Sequence, residues 1–278
     1  MSRQPGKQPR RRWWAVAARP ITAGLLDQVP GAVAAYSLRK LSNSYVGQAV
    51  NARRASDNAT QDIGFTGNDF NGGTYSAFIG ASTGFVATWY DQAGSSNATA
   101  IGGLQANQPA IGYATPRSRA VLNVTTTSQG LTAPCAANPA IVTLAMVTNR
   151  TGSQTTYGVV VSYDGNCPGL TYINSADGGF TVGNVGVAVL PGTPGNDLNF
   201  HSIVGVVNGA SSLVEVDNGT PNTGSVTGAT GATLIDLCQH PGYAFIGNLA
   251  EAIIWNRALS GAEITALTAD HRNYYGTP

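Results

Sequence analysis

Hydrolysis of a sugar linkage, or the seating of a hard cation, needs carboxylates, and this chain has only 14 Asp and Glu among 278 residues. Asp57, Asp62 and Asp91 fall in one N-terminal stretch. Asp177 follows Asn174-Ser175-Ala176, Glu215 and Asp217 alternate along one segment, and Glu251 stands inside an apolar run. Asp57, Asp91 and Asp177, with the indole of Trp89, are the candidate glycan or cation contacts, Ca2+ being the cation that carboxylate and carbonyl oxygens suit. Asp57 and Asp91 read more readily as turn caps, Asp91 standing directly before Gln92-Ala93-Gly94. Glu215 and Asp217 read as a solvated strand face, and Glu251 as the partner of Arg257 or Arg272. His201, His240 and His271 have no metal-ligand spacing and no serine–histidine–acid order. Cys135, Cys167 and Cys238 form neither a CxxC pair nor an even disulfide framework. Trp89, Tyr90, Tyr113, Trp255, Tyr274 and Tyr275 offer stacking surfaces for a sugar, but aromatics that alternate along strands are more often core.

The elements that must position these groups are strands. Charged residues make up only 10% of the chain, against about 25% in an average domain, and 35 glycines punctuate it. Period-two patterning with β-branched and aromatic residues predicts strands over 46–53, 84–91, 141–147, 157–163, 180–189, 201–207, 212–217 and 245–256. Asn208-Gly209 and Asn218-Gly219 mark hairpins, because type I′ turns need positive φ at both central residues. The stretch 31–41 allows one short helix. Ser260 with Glu263 forms a capping box, and Leu259 can staple onto Ile264, so a short helix ending near Asp270 closes the chain. The expected fold is all-β: a jelly-roll sandwich of two antiparallel sheets, with Val214, Val216, Ile253 and Trp255 buried between or beneath them.

The N-terminus differs from the body. Arg3, Lys7, Arg10, Arg11, Arg12 and Arg19 carry positive charge with no acid among them, leaving nine basic against 14 acidic residues in the mildly acidic remainder. The expected division is a basic arm over 1–20 and a sandwich domain over 21–278. The apolar run Trp13–Ala18 is shorter than the roughly 7–15 residues of a signal-peptide core, and no stretch approaches the ~18 apolar residues of a membrane span. Such an arm cannot fold alone. Arg10, Arg11, Arg12, Trp13 and Trp14 are its expected anchoring residues, docking on a neighbouring subunit in a homo-oligomer or larger assembly rather than on nucleic acid.

Two stretches resemble known families. Residues 201–276, with Leu249-Ala-Glu-Ala-Ile-Ile-Trp-Asn-Arg-Ala-Leu-Ser-Gly-Ala-Glu-Ile264, are similar to the end of a laminin G/concanavalin A-like domain. Residues 31–112, with Arg53-Arg54-Ala-Ser-Asp57 and Thr88-Trp-Tyr-Asp-Gln-Ala-Gly94, resemble the catalytic domain of α-L-arabinofuranosidase B, which has the same sandwich; similar segments occur in structural proteins of tailed bacteriophages. The resemblance implies a nucleophilic Glu after a cysteine pair, where this chain has a single Cys167 and then Asp177. It also implies an acid/base Asp in a glycine-rich loop, where this chain has Ile246-Gly247-Asn248-Leu249. With neither carboxylate in place, the expectation is a non-enzymatic virion-surface protein that decorates or stabilises a capsid or tail, touches host glycans and does not hydrolyse aryl arabinofuranosides. The alternatives are an arabinofuranosidase-like glycoside hydrolase, secreted in that case, or a free carbohydrate-binding lectin module.

Overall fold

The computed structural model describes residues 24–135, 140–151, 157–164, 168–173, 179–184, 188–195, 197–240 and 243–278. The arm and its anchoring residues Arg10, Arg11, Arg12, Trp13 and Trp14, like Asp177 and Cys167, lie outside the described residues.

In chain order the strands are β1 (Ala34–Ser37), β2 (Val50–Arg54), β3 (Thr60–Ile63), β4 (Phe65–Thr66), β5 (Asp69–Phe70), β6 (Gly84–Trp89), β7 (Ala98–Ala100), β8 (Ala110–Tyr113), β9 (Ala120–Val124), β10 (Leu131–Pro134) and β11 (Val142–Arg150). There follow β12 (Tyr157–Tyr163), β13 (Pro168–Ile173), β14 (Gly179–Asn184), β15 (Ala188–Gly195), β16 (His201–Val207), β17 (Gly209–Val216), β18 (Asn222–Val226), β19 (Leu234–Leu237), β20 (Gln239–His240), β21 (Tyr243–Ala244) and β22 (Gly247–Trp255). The helices are α1 (Leu25–Gln28), α2 (Gly72–Ile79) and α3 (Gly261–Tyr275).

All pairings are antiparallel; apart from the β4–β5 and β20–β21 hairpins, they build two layers. One runs β3-β2-β6-β7-β10-β19-β12-β13-β14-β15. The other runs β8-β9-β22-β11-β16-β17-β18, with β1 beside the C-terminal part of β22. A bridge between Phe85 and Ala110 joins the layers at one edge. The expected all-β sandwich is therefore the observed one, and Val214, Val216, Ile253 and Trp255 are all buried. The first two lie between the layers; the last two face the apolar seam that α1 and α3 cover on the outside of the second layer.

Three local expectations need correction. Simple alternation puts Val86 and Trp89 on opposite faces of one strand. A register shift between the β2 and β6 partners turns both inward, because a bulge inserts one residue and resets the side-chain alternation. Positive φ falls on Asp217 and Asn218, at 55° and 58°, so those two are the central turn residues rather than Asn218-Gly219. The stretch 31–41 holds strand β1, and the N-terminal helix precedes it at Leu25–Gln28. The capping box on α3 forms as its sequence predicts, Ser260 accepting from the Glu263 N–H while the Glu263 carboxylate accepts from Ser260; the helix continues to Tyr275, where Gly276 ends it at φ 80°.

Candidate active site

Every histidine is held by a carboxylate. His271 Nε2 lies 3.0 Å from Glu251 Oε1, and its Nδ1 lies 2.7 Å from Ser202 Oγ. Arg39 grips the same Glu251 through two bonds of 2.8 and 3.0 Å, and the Tyr275 hydroxyl donates to it at 2.9 Å. By residue type this is a nucleophile–base–acid row, yet Ser202, His271 and Glu251 are fully buried beneath α3. Burial pushes the Glu251 carboxyl up, but Arg39 and His271 outweigh it and hold the group well below the usual carboxylate range. No substrate reaches this row; it is a satisfied polar core. The partner of Glu251 is Arg39, 212 residues away, not Arg257 or Arg272.

The second histidine is itself buried but is held by an exposed carboxylate. Strand β16 begins at His201, whose Nδ1 meets Asp217 and whose Nε2 lies 2.7 Å from Asp197. Burial opposes the charged ring, but the bonds to Asp217 and Asp197 outweigh it and raise the His201 pKa above its ordinary value. Asp217 is buried and fixed by the Ser202 N–H at 2.8 Å, whereas the Asp197 side chain is 44% exposed. For Asp197, partial burial acts to raise the pKa, but His201 and Asn199 lower it further, so it stays an ionised carboxylate. Glu215 and Asp217 are thus both withdrawn from solvent; Glu215 sits on the outer face of its strand, buried, and its carboxyl pKa is raised by that burial.

The strands next to His201 carry amides. Thr148 pairs with both His201 and Leu249, which sets the start of β22 beside the start of β16. There Asn123 donates to Asn248 and Asn248 donates to Asn149, each at 2.8 Å, while Asn149 donates to the Leu198 carbonyl at 2.9 Å. Arg150 Nε donates to the Asp197 carbonyl at 3.2 Å. The ring of Phe180, in β14, stands 5.9 Å from His201. This end of the sandwich therefore gathers an exposed carboxylate, an imidazole held between two aspartates and a ladder of three amides. Such groups bind sugar hydroxyls and stabilise charge at a sugar ring.

The remaining candidates lie elsewhere. Trp89 is fully buried, 5.7 Å from Tyr36, and takes no glycan contact. Asp91 is 2% exposed and accepts from the Ala35, Ala93 and Ser96 N–H groups, so it caps a turn. Asp57 is exposed but chelated by Arg54 at 2.9 and 2.7 Å, which pulls its pKa down to about 2. Among the described residues, no three His, Cys, Asp or Glu side chains are placed to hold a metal, Cys238 is a buried thiol, and no helix is long and apolar enough to cross a membrane. What sequence reasoning missed is a spacing: Asp197 and Asp236 each stand four residues before the histidine they hold.

Comparison with known proteins bears on the chain's family and fold. Residues 27–184 match the profile described as "Alpha-L-arabinofuranosidase B, catalytic". An arabinofuranosidase solved with arabinofuranosyl-α-1,2-xylobiose superposes with a TM-score of 0.74 at 14% identity, over 89% of this chain and 64% of that one. A GH54 α-L-arabinofuranosidase soaked with a cyclic sulfate inhibitor gives 0.72 at 15% identity, over the same shares. The chain thus spans less than two thirds of those proteins. No curated protein matches the sequence. These findings overturn the expectation of a non-enzymatic virion-surface protein, for which no match speaks. That expectation rested on absent acids at two loop positions, and a loop that lacks one acid does not bar another loop from supplying one. With more than half of its length matched, the chain belongs to the α-L-arabinofuranosidase B catalytic-domain family.

Proposed function

We propose that this chain is a glycoside hydrolase acting on α-L-arabinofuranosyl linkages. The observation that carries the reading is the family match over 27–184; the Asp197–His201–Asp217 end of the sandwich supports it. A retaining mechanism needs one ionised and one protonated carboxyl group. Asp197 suits the first role, being exposed and held ionised by His201 and Asn199. Asp177 is assigned the second, as the acid nearest in sequence to the start of β14. In this mechanism an Asp197 oxygen bonds to the anomeric carbon as the glycosidic C–O bond breaks, and the leaving oxygen takes the Asp177 proton. Water then attacks the glycosyl-enzyme, giving its proton back to Asp177 and releasing the Asp197 carboxylate.

Aryl α-L-arabinofuranosides test this. Asp197→Ala should abolish turnover, and added azide should restore product as a glycosyl azide. Asp177→Asn should slow substrates with poor leaving groups by about 10²–10⁴-fold while sparing activated aryl groups. Wild-type turnover in both variants refutes the assignment of both carboxylates.

A further inference from the structure

Strand β16 runs from His201, at the candidate active site, to Val207, about 20 Å away, where the end of the sandwich is apolar. Val142 pairs with Val207, which puts Asn208 opposite Ile141; Thr143 pairs with Trp255, which puts Asn256 and Arg257 on the other side of Ile141. These residues, with Ala140 and Ala258, line a hollow of about 470 Å³. Ile141 is 43% exposed. Val33, whose N–H donates to the Ile254 carbonyl at the same end of β22, is 39% exposed. Large apolar side chains left open around one concavity mark a contact surface.

The hollow suits a flat aromatic ring. A cavity of about 150 Å³ takes benzene, so this one has room for an indole. The Arg257 guanidinium donates to Glu263 at 2.7 and 3.0 Å and to the Pro30 carbonyl at 3.0 Å, which fixes it by its edge and leaves its face for a ring. Asn208 supplies an amide acceptor for an indole N–H. Of the four tryptophans, Trp89 and Trp255 are fully buried in the sandwich, and Trp13 and Trp14 belong to the basic arm. The arm reaches. From Gly24, the helical turn Leu25–Gln28 and five further residues lead to Val33, which puts Gly24 within about 24 Å of the hollow's rim. The stretch from Trp14 to Gly24 spans up to about 35 Å when extended. Asp27, exposed on α1, offers a counter-charge to Arg19 on that path.

We propose that the basic arm folds back over its own sandwich and seats one indole of the Trp13-Trp14 pair in the hollow between Ile141 and Arg257, strapping the end of the molecule opposite the candidate active site. Successive side chains of an extended segment point to opposite sides, so one ring of the pair enters while the other faces outward. Tethering selects the arm's own hollow over that of a neighbouring copy, because an attached ring meets it at an effective concentration of the millimolar order. The strap leaves the His201 end uncovered and does not depend on the arabinofuranosidase reading.

Acrylamide quenching of tryptophan emission tests this in the full chain. Trp89 and Trp255 are fully buried, so quenchable emission comes from the arm. Ile141→Lys puts a cation at the lip of the hollow, where it repels the basic arm. Seating one of the two arm indoles should make the wild type about twofold less quenchable than this variant. Val46→Lys changes a valine that is 95% exposed elsewhere on the surface and should quench like the wild type. A Trp13→Phe/Trp14→Phe chain supplies the emission of the two buried indoles alone. Equal quenching of the wild type and Ile141→Lys overturns the proposal. Protection that fades on about hundredfold dilution also overturns it, because mass action then assigns the hollow to the arm of a second copy.

Discussion

Replacing Glu251 by Gln separates a structural from a catalytic reading of the buried Ser202–His271–Glu251 row. The substitution keeps shape but removes the charge that faces the two Arg39 bonds, the His271 ring and the Tyr275 hydroxyl. Breaking one side of a buried ion pair costs about 3–5 kcal/mol, because the surviving charge stays desolvated. Arg39 keeps a second contact with Asp270, which places the loss at the lower end, about 3 kcal/mol. At about 2–4 °C per kcal/mol for a large domain, Tm should fall by roughly 6–12 °C. The sign of the pH dependence follows from the lowered pKa of Glu251. A carboxyl held below its unfolded value contributes stability above about pH 4.3 and loses it only as pH falls through the lower folded value. The gap between wild type and Glu251→Gln should therefore persist at pH 4 and narrow only in stronger acid. Differential scanning calorimetry across pH 3–8 reads both quantities. A Tm loss below about 2 °C, or abolished arabinofuranosidase turnover with unchanged Tm, would refute the structural reading.

Four further outcomes follow from the same contacts. Ser202→Ala should keep wild-type turnover and lose about 1 kcal/mol in denaturant titration, the net worth of one hydrogen bond. His201→Asn should cost most stability between about pH 4 and 6.5. The raised His201 pKa contributes below its unfolded value near 6.5 and fades as pH rises through the folded one, whereas the lowered Asp197 pKa contributes above about 3.9; thermal melts at pH 5.5 and 8.5 measure the difference. Asp91→Ala strips acceptors from three backbone N–H groups and should cost about 2–4 kcal/mol by urea unfolding. Ser260→Ala should lower stability by about 1 kcal/mol through loss of the α3 cap, read in the same titration.

What the sequence discloses is what local chemistry determines. The capping box at Ser260 and Glu263 and the strand over 201–207 each depend on residues a few positions apart, and both appear where expected. The bulge that turns Val86 and Trp89 to one side depends on pairing with β2, more than thirty residues earlier, so alternation alone misplaces it. Arg39 and Glu251 are partners only because β1 lies beside β22. The two Asp-x-x-x-His spacings were legible but ambiguous: neither pair lies within a helix, where that spacing would itself explain the contact.

The expectation of a non-enzymatic protein fails for a related reason. Scoring catalysis by the acids at 177 and 248 treats an active site as a string of positions, whereas strand order gathers side chains from separated segments. Asn248 is not an acid, yet β11 stands between it and β16, and the loop before β16 supplies Asp197 in the exposed, ionised form that a glycosyl-enzyme mechanism uses. The amide that stands where an acid was expected is tied into the ladder with Asn123 and Asn149. His201 and Asn199, rather than the amide ladder, hold Asp197 in the ionised form proposed to attack the sugar.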